Sequence, residues 1–164
     1  MKRKNIEINH IKILERIYTH TYYTGESRKA AGAPPHFAAR MQASNSDKTA
    51  LTHHIRLALS EVATMLTRYL GLCTTKYHSD TQSTIFTIET PLNYPHECMR
   101  AMGETIENYA MMRTLAEWLT QNKPDEAAAA AEEAQISTLH LRELMSTRKR
   151  PTTEHHNHDN NIEL

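Results

Sequence analysis

The chain has 164 residues, and its 19 basic and 19 acidic side chains cancel to a net charge of zero at pH 7. This length fits one domain with tails, and the balanced charge disfavours a dedicated nucleic-acid binder, whose domain normally carries a positive excess. Val occurs once and Phe only twice. The core is therefore expected to be thin, and its burial to be completed against other copies of the chain or a partner.

The sequence contains no pattern typical of a membrane or secreted protein. No segment reaches the roughly 20 apolar residues of a transmembrane helix, and the basic start Met1–Lys4 is not followed by the apolar segment of a signal peptide. Cys73 and Cys98 are too far apart for a CxxC motif, which favours reduced thiols in a cytosolic environment. We expect no membrane contact and no cofactor.

The N-terminal segment predicts a short helix over Ile6–Thr19, because its apolar residues share one helical stripe. An extended beginning is left open by the partial alternation of Ile6, Ile8, Ile11 and Ile13. Gly25 is expected to end the helix. Residues 21–45 are then expected to form a long irregular loop, since Gly and Pro are frequent there and large aliphatic residues are rare.

The middle of the chain predicts a helix followed by a β-hairpin. Ser46 or Asp47 is placed to cap the helix, and Gly71 is placed to end it. The residue types that follow favour two strands, Cys73–Tyr77 and Ser83–Glu89, joined by a polar loop. Two strands alone are marginally stable, so the hairpin must lie on a helix or extend the sheet of a neighbour.

The segment Pro95–Pro151 predicts two long amphipathic helices that form a C-terminal helical hairpin. Pro95 and Pro124 suit first-turn positions, and Asn122 lies where one helix gives way to the next. The first helix carries an apolar stripe at steps of three and four that we expect to be buried. Its members are Met99, Met102, Ile106, Tyr109, Met112, Ala116 and Leu119.

The last helix combines small residues with bulky ones. Its alanine run, Ala127–Ala131, favours helix strongly and allows another backbone to approach closely; the sequence leaves open whether that backbone belongs to another copy, a partner or the preceding helix. Four bulky residues are expected to be buried: Leu139, Leu141, Leu144 and Met145. Residues 152–164 are polar and rich in His and Asn, which predicts a tail that is disordered or ordered by a partner, and favours solvated histidines over a metal site.

No set of polar residues has the spacing that catalysis requires, so we expect a non-enzymatic protein with residues 1–151 in a single, mostly helical domain. Trp118, Leu141 and Leu144 join the apolar stripe as packing or interface candidates. Two basic clusters are candidates for contact with nucleic acid or an acidic partner, with solvated termini as the alternative. They are Lys2, Arg3 and Lys4, and Arg148, Lys149 and Arg150.

The order of these parts resembles small structural proteins encoded in the morphogenesis clusters of tailed bacteriophages and prophages. Its recognisable short pieces are Tyr23-Thr24-Gly25 and Arg148-Lys149-Arg150-Pro151, and the resemblance covers Ile6–Pro151. The predicted architecture, a mainly α bundle of about four helices with one inserted β-hairpin, is similar to that of head-tail connector (adaptor) proteins.

The resemblance implies a non-enzymatic virion protein, located in the neck region after assembly in the host cytoplasm. Connector subunits form a homo-oligomeric ring that contacts the portal on one side and tail or neck proteins on the other. Because such a ring surrounds the genome exit channel, the resemblance also implies non-specific contact of the basic clusters with genomic DNA. The alternatives are a tail-completion protein and an intracellular helical protein that regulates or binds nucleic acid.

Overall fold

The computed structural model describes residues 1–32, 34, 42–120 and 123–147. In chain order it contains strand β1 (Lys2–Asn9), helices α1 (His10–Ala30) and α2 (Lys48–Leu70), strands β2 (Cys73–His78) and β3 (Ser83–Thr90), and helices α3 (His96–Leu119) and α4 (Pro124–Ser146). A short 3-10 helix, Asn45–Asp47, precedes α2. The predicted mainly helical fold, with four helices and an inserted hairpin, is confirmed for this part of the chain.

The first segment of the chain is a strand instead of the beginning of a helix. β1 pairs antiparallel with β3, with Ile6 opposite Phe86, and the order of strands in the sheet is β1-β3-β2. Ile6 and Ile8 are buried, as expected for alternate residues on the core face of a strand. The predicted helical start at Ile6 is therefore wrong, because pairing with a distant strand decides the conformation of this segment.

Helix α1 begins directly after β1, where Asn9 caps it. The Asn9 Oδ1 atom accepts hydrogen bonds from the backbone amides of Ile11 and Lys12, at 2.8 and 3.2 Å. The cap satisfies two of the amide groups that a helix leaves unpaired at its N-terminus. Strand and helix thus follow each other without a loop.

The end of α1 differs from the prediction. The helix passes through Gly25 and continues to Ala30, so the irregular loop predicted for 21–45 is wrong over its first part. A Gly inside a helix costs about 1 kcal/mol relative to Ala, and Gly25 is buried, so packing of this face offsets the cost. The left-handed φ of 85° that typically follows a helix occurs at Gly32. Of the remaining loop, residues 33 and 35–41 lie outside the described residues.

Helix α2 and the hairpin lie where the sequence predicts them, but Asp47, the residue before α2, makes no side-chain cap hydrogen bond to that helix. The 3-10 turn before α2 has a capping box, in which the Asp47 Oδ2 atom accepts a hydrogen bond from the Ser44 amide at 2.8 Å. α2 ends at Gly71, whose φ of 85° is a left-handed conformation that favours glycine. β1 makes the hairpin part of a three-stranded sheet that contacts all of the first three helices, which explains how the two hairpin strands are stabilised.

Helix α3 is the centre of the fold. It packs against α1, α2, α4 and β1. The predicted apolar stripe is buried or packed against the core, but it describes only one side of the helix, because Glu107, Met111 and Leu115 are buried as well. Pro95 is the residue before the first helical turn, not a member of it as predicted.

Helices α3 and α4 form the predicted C-terminal helical hairpin. The Tyr94 hydroxyl, just before α3, donates a hydrogen bond of 3.0 Å to the Leu144 carbonyl near the end of α4. Further along, the Asn108 Nδ2 atom donates to the Ser137 Oγ atom at 3.0 Å. Rising numbers on α3 meet falling numbers on α4, so the helices are antiparallel. Pro124 occupies the first turn of α4, as predicted.

Only one side of the alanine run of α4 faces the core. Ala127 is buried and Ala130 is partly buried, whereas the other three alanines of the run are exposed. Since α3 is the element that α4 contacts most extensively, the backbone that approaches the buried side belongs to the same chain. Leu141 is buried as predicted, whereas Leu139 is 54% exposed and its predicted burial is wrong. Positions two apart on a helix lie on nearly opposite sides, so both leucines could not face the core.

Candidate assembly surfaces and a basic groove

The packing or interface candidates predicted from the sequence lie in or against the core of the chain itself. Six are buried: Met102, Ile106, Tyr109, Met112, Leu119 and Leu141. Three are partly buried and packed against this core: Met99, Trp118 and Leu144. The fold uses all of these side chains for its own packing, so any surface offered to a partner consists mainly of other residues.

The N-terminal basic cluster lies on the edge strand β1. Lys2 and Arg3 are exposed, and Lys4 is half-buried. The Arg3 Nε atom lies 3.1 Å from the Glu89 Oε1 atom on β3, so one of these charges forms an ion pair across the sheet. Lysines on an edge strand also discourage pairing with foreign strands. The second basic cluster, residues 148–150, lies outside the described residues.

A hollow of about 820 Å³ follows α1, and its Lys and Arg side chains have acidic partners. The Lys12 Nζ atom donates a hydrogen bond of 2.7 Å to the Glu107 Oε2 atom, and an Arg16 guanidinium nitrogen lies 3.8 Å from the same carboxylate oxygen. Glu107 is buried, and a buried carboxylate needs such partners. These cations therefore link α1 to α3 through Glu107.

A second polar link joins α2 to α3. The Tyr109 hydroxyl donates a hydrogen bond of 2.5 Å to the Glu61 Oε2 atom, and the Arg113 Nε atom donates to the same oxygen at 3.2 Å. Burial raises the pKa of Glu61, but hydrogen bonds from Tyr109 and Arg113, with the charge of Arg113, lower it further, so the pKa lies below its ordinary value. Burial and the adjacent carboxylate raise the pKa of Tyr109, so its phenol stays protonated at neutral pH.

An exposed apolar pair lies on the outward face of α4. Ile136 is 60% exposed and Leu139 is 54% exposed, and residues three apart are neighbours on a helix surface. Glu132 lies one turn before Ile136 and Glu143 one turn after Leu139, and both are exposed. We name these four residues the α4 stripe. It has an apolar centre with one carboxylate at each end, and the exposed Arg142 lies beside it.

The zero net charge conceals a separation of charge along the chain. Residues 1–78 contain 12 Lys and Arg against 5 Asp and Glu, whereas residues 79–147 contain 4 against 11. Helix α4 alone carries five acidic residues and one Arg. The α4 stripe thus belongs to the acidic half of the chain, while β1, α1, α2 and β2 belong to the basic half.

A groove lies between α2 and β2, in the basic half. It consists of two hollows of about 270 and 390 Å³ whose linings share Arg56 and Tyr77. Lys48 and His53 also line the larger hollow, and no Asp or Glu of the described ranges lines either one. Within the same ranges, neither Lys48 nor Arg56 forms an ion pair. We name this feature the basic groove.

Three flat side chains form a tilted stack at the residues that the two hollows of the basic groove share, with an angle of 37° between the His10 and Tyr77 rings. The Arg56 guanidinium carbon lies 4.3 Å from the centroid of the Tyr77 ring, and that centroid lies 5.4 Å from the centroid of the His10 imidazole. The His10 Nε2 atom is in turn 2.9 Å from the Thr84 Oγ1 atom. Burial and, to a smaller extent, the charge of Arg56 lower the pKa of His10. A neutral, fully buried imidazole thus supports the tyrosine on which the guanidinium rests.

The basic groove was not predicted from the sequence. Its stack takes His10 from the start of α1, Arg56 from α2, Tyr77 from β2 and Thr84 from β3. These positions meet only because β3 pairs with both β1 and β2. The residues of this site are far apart in the sequence, and strand pairing brings them together. The site could therefore be predicted only from the correct arrangement of the strands.

Cys73 and Cys98 are free thiols, in agreement with the predicted reduced state. Burial raises the pKa of Cys73 to about 11, so this thiol is protonated and poorly reactive at neutral pH. In the part of the chain that the structure covers, no three His, Cys, Asp or Glu side chains lie close enough to hold a metal ion.

None of the helices in the described segments is long and apolar enough to cross a membrane. No known family model matches the sequence, and no curated protein or solved structure matches it at a significant level.

Proposed function

We propose that this protein is a non-enzymatic virion protein, a head-tail connector (adaptor or neck) subunit that forms a homo-oligomeric ring between the portal and the tail of a phage. The observation that carries the proposal is the α4 stripe, an exposed apolar pair between carboxylates on a chain whose other half is basic. Each copy thus has two unlike surfaces of opposite charge.

Two unlike surfaces on one chain favour a head-to-tail contact between copies. A contact of this kind joins a different patch on each partner, and it closes into a ring when the rotation between copies divides a full turn. Opposite charges guide the two surfaces together and fix their orientation. Ile136 and Leu139 supply apolar area that water covers in the single chain and a neighbour covers in the ring.

The fold supports the same proposal. A helical subunit with a sheet between its helices is the architecture that the resemblance to connector proteins implies. The outward face of the sheet carries polar side chains that bond across the strands: the Arg3 Nε atom donates to the Glu89 carboxylate, and the Thr87 hydroxyl donates to the Asn5 Oδ1 atom. This polar face is the surface that we assign to the portal or to the tail and neck proteins.

Light scattering coupled to size-exclusion chromatography tests ring formation. We expect the wild-type chain to form a discrete oligomer at low ionic strength, and raised salt to weaken it because salt screens the opposite charges. Ile136→Glu and Leu139→Glu place charges in the apolar centre of the α4 stripe and should give monomers. Leu92→Glu, which changes an exposed leucine outside the α4 stripe, is the matched control and should assemble like the wild type.

A wild-type chain that stays monomeric at its highest soluble concentration in low salt would contradict the ring. The phage assignment has a separate test in the genes beside the one that encodes this chain. Portal, capsid and tail genes are the expected neighbours, and a cluster of metabolic genes would reject a virion role.

A further inference from the structure

We propose that the basic groove between α2 and β2 binds phosphate groups, with Arg56 and Lys48 as the cations that hold them. The phosphate belongs either to a nucleic-acid backbone or to a free phosphate compound. This inference goes beyond the connector proposal and does not depend on it, because it rests only on the residues of the groove.

The two cations of the basic groove have no acidic partner among the described residues. The Lys and Arg side chains of the hollow along α1 are paired, because Lys12 and Arg16 both lie beside the Glu107 carboxylate. Among the described residues, Arg56 and Lys48 have no such partner, and the groove that they line contains no carboxylate. Positive charges of one sign in a concave site attract and concentrate anions.

The Tyr77 ring orients the Arg56 guanidinium. One face of its guanidinium is stacked on Tyr77, and stacking leaves the N–H groups at the edge of the plane free to donate. A planar guanidinium donates two parallel hydrogen bonds to a phosphate. Because the stack on His10 already orders the Tyr77 ring, less conformational entropy is lost when a ligand binds.

The number of hydrogen-bond donors in the groove favours phosphate over carboxylate. A phosphate group has three strong acceptor oxygens, so it can use more donors than a carboxylate can. The larger hollow offers the Thr49 hydroxyl, the Tyr77 hydroxyl and the Gln82 amide in addition to the two cations. Arg56 lines both hollows, so one guanidinium can contact successive phosphates of an extended ligand.

Fluorescence anisotropy with a labelled DNA oligonucleotide of random sequence tests the nucleic-acid source, at about 50 mM salt. Calorimetry with inorganic phosphate and with tripolyphosphate tests the free source. We expect Arg56→Gln to weaken binding of whichever probe binds by roughly tenfold or more, Lys48→Gln to weaken it less, and Arg56→Lys to restore only part of the loss, because it keeps the charge without the planar group.

Arg68→Gln is the matched control, since Arg68 is an exposed cation of the same helix outside the groove. It should change affinity by less than about twofold. Binding of the oligonucleotide alone supports the backbone source, and binding of the phosphate compounds supports the free source. The proposal is overturned if no probe binds, if Arg68→Gln weakens binding as much as Arg56→Gln, or if polyglutamate binds as tightly as the phosphate probes. Should Arg56→Gln melt at a much lower temperature, Lys48→Gln, at an exposed position, decides the matter.

Discussion

The Tyr109 hydroxyl donates a hydrogen bond of 2.5 Å to the Glu61 carboxylate, and this bond ties the middle of α3 to α2. The Tyr109 ring is buried, whereas the Glu61 side chain is 44% exposed, so the bond lies at the boundary between core and solvent. Tyr109, which was predicted to be buried as a member of the apolar stripe, thus also donates a charge-assisted hydrogen bond. Bonds of this kind are stronger than bonds between neutral groups.

Replacing Tyr109 by Phe removes the hydroxyl and keeps the packed ring. We expect Tyr109→Phe to lower the free energy of unfolding by about 1 kcal/mol, because Glu61 loses a donor but regains water at its exposed side. Urea denaturation of the wild type and the variant measures the difference. Tyr22→Phe, at an exposed tyrosine of α1, is the control and should leave the free energy unchanged. Equal effects of the two substitutions would show that the hydroxyl bond contributes nothing.

Glu61 also predicts a pH dependence of stability. Its pKa is lower in the folded chain than in the unfolded one, so its ionised form stabilises the fold above the unfolded pKa of about 4.3. This contribution is lost as the pH falls through the folded pKa. We expect the stability difference between wild type and Glu61→Gln to be constant from about pH 6 to 7 and to shrink below about pH 4. A difference that stays the same in denaturation curves down to pH 3 would contradict this assignment.

Ile106 lies at the centre of the core, where it is fully buried. We expect Ile106→Asp to destabilise the fold by about 4 kcal/mol or more, because the carboxylate would be buried without a partner. Glu132→Ala, on the exposed side of α4, should change the free energy of unfolding by less than about 1 kcal/mol. Thermal melts compare the two variants, and similar losses would mean that the buried face of α3 has been assigned wrongly.

Two glycines predict opposite effects of the same substitution. Gly71 has a φ of 85°, so Gly71→Ala forces a side chain into a left-handed conformation and should cost about 1 kcal/mol. Gly103 lies inside α3, and a Cβ atom there would meet Ile6 Cγ2 at 3.5 Å, an ordinary contact distance. Gly103→Ala should therefore stabilise the chain by up to about 1 kcal/mol. Chemical denaturation of both variants measures the signs, and a shared sign would refute the argument.

Local patterns predicted those parts of the fold in which the neighbours along the chain decide the conformation. The apolar period of α2 and α3, the glycine at position 71 and the proline at position 124 all act within a few residues, and the structure agrees with each. The end of α1 was mispredicted for the opposite reason. Glycine is a residue type that commonly ends helices, but Gly25 is buried on a packed face, and this packing keeps the helix intact.

Features that depend on distant pairing could not be predicted in this way. β1 is a strand because it pairs with β3, and the register of that sheet brings His10 beside Tyr77. The basic groove inherits this dependence. The separation of charge between the two halves is visible in the sequence, yet its importance emerges only when α4 is seen to expose Ile136 and Leu139.

The pairing of β1 with β3 has a consequence for synthesis of the chain on the ribosome. Lys2 lies opposite Thr90 in the sheet. β1 therefore cannot pair until β3, the last strand of this sheet to be synthesised, has left the ribosome. At a translation rate of about 5–20 residues per second, this delay is on the order of 4–18 s. During that time Ile6 and Ile8 have no sheet to cover them, and the lysines of β1 then keep the nascent strand from pairing with another nascent chain.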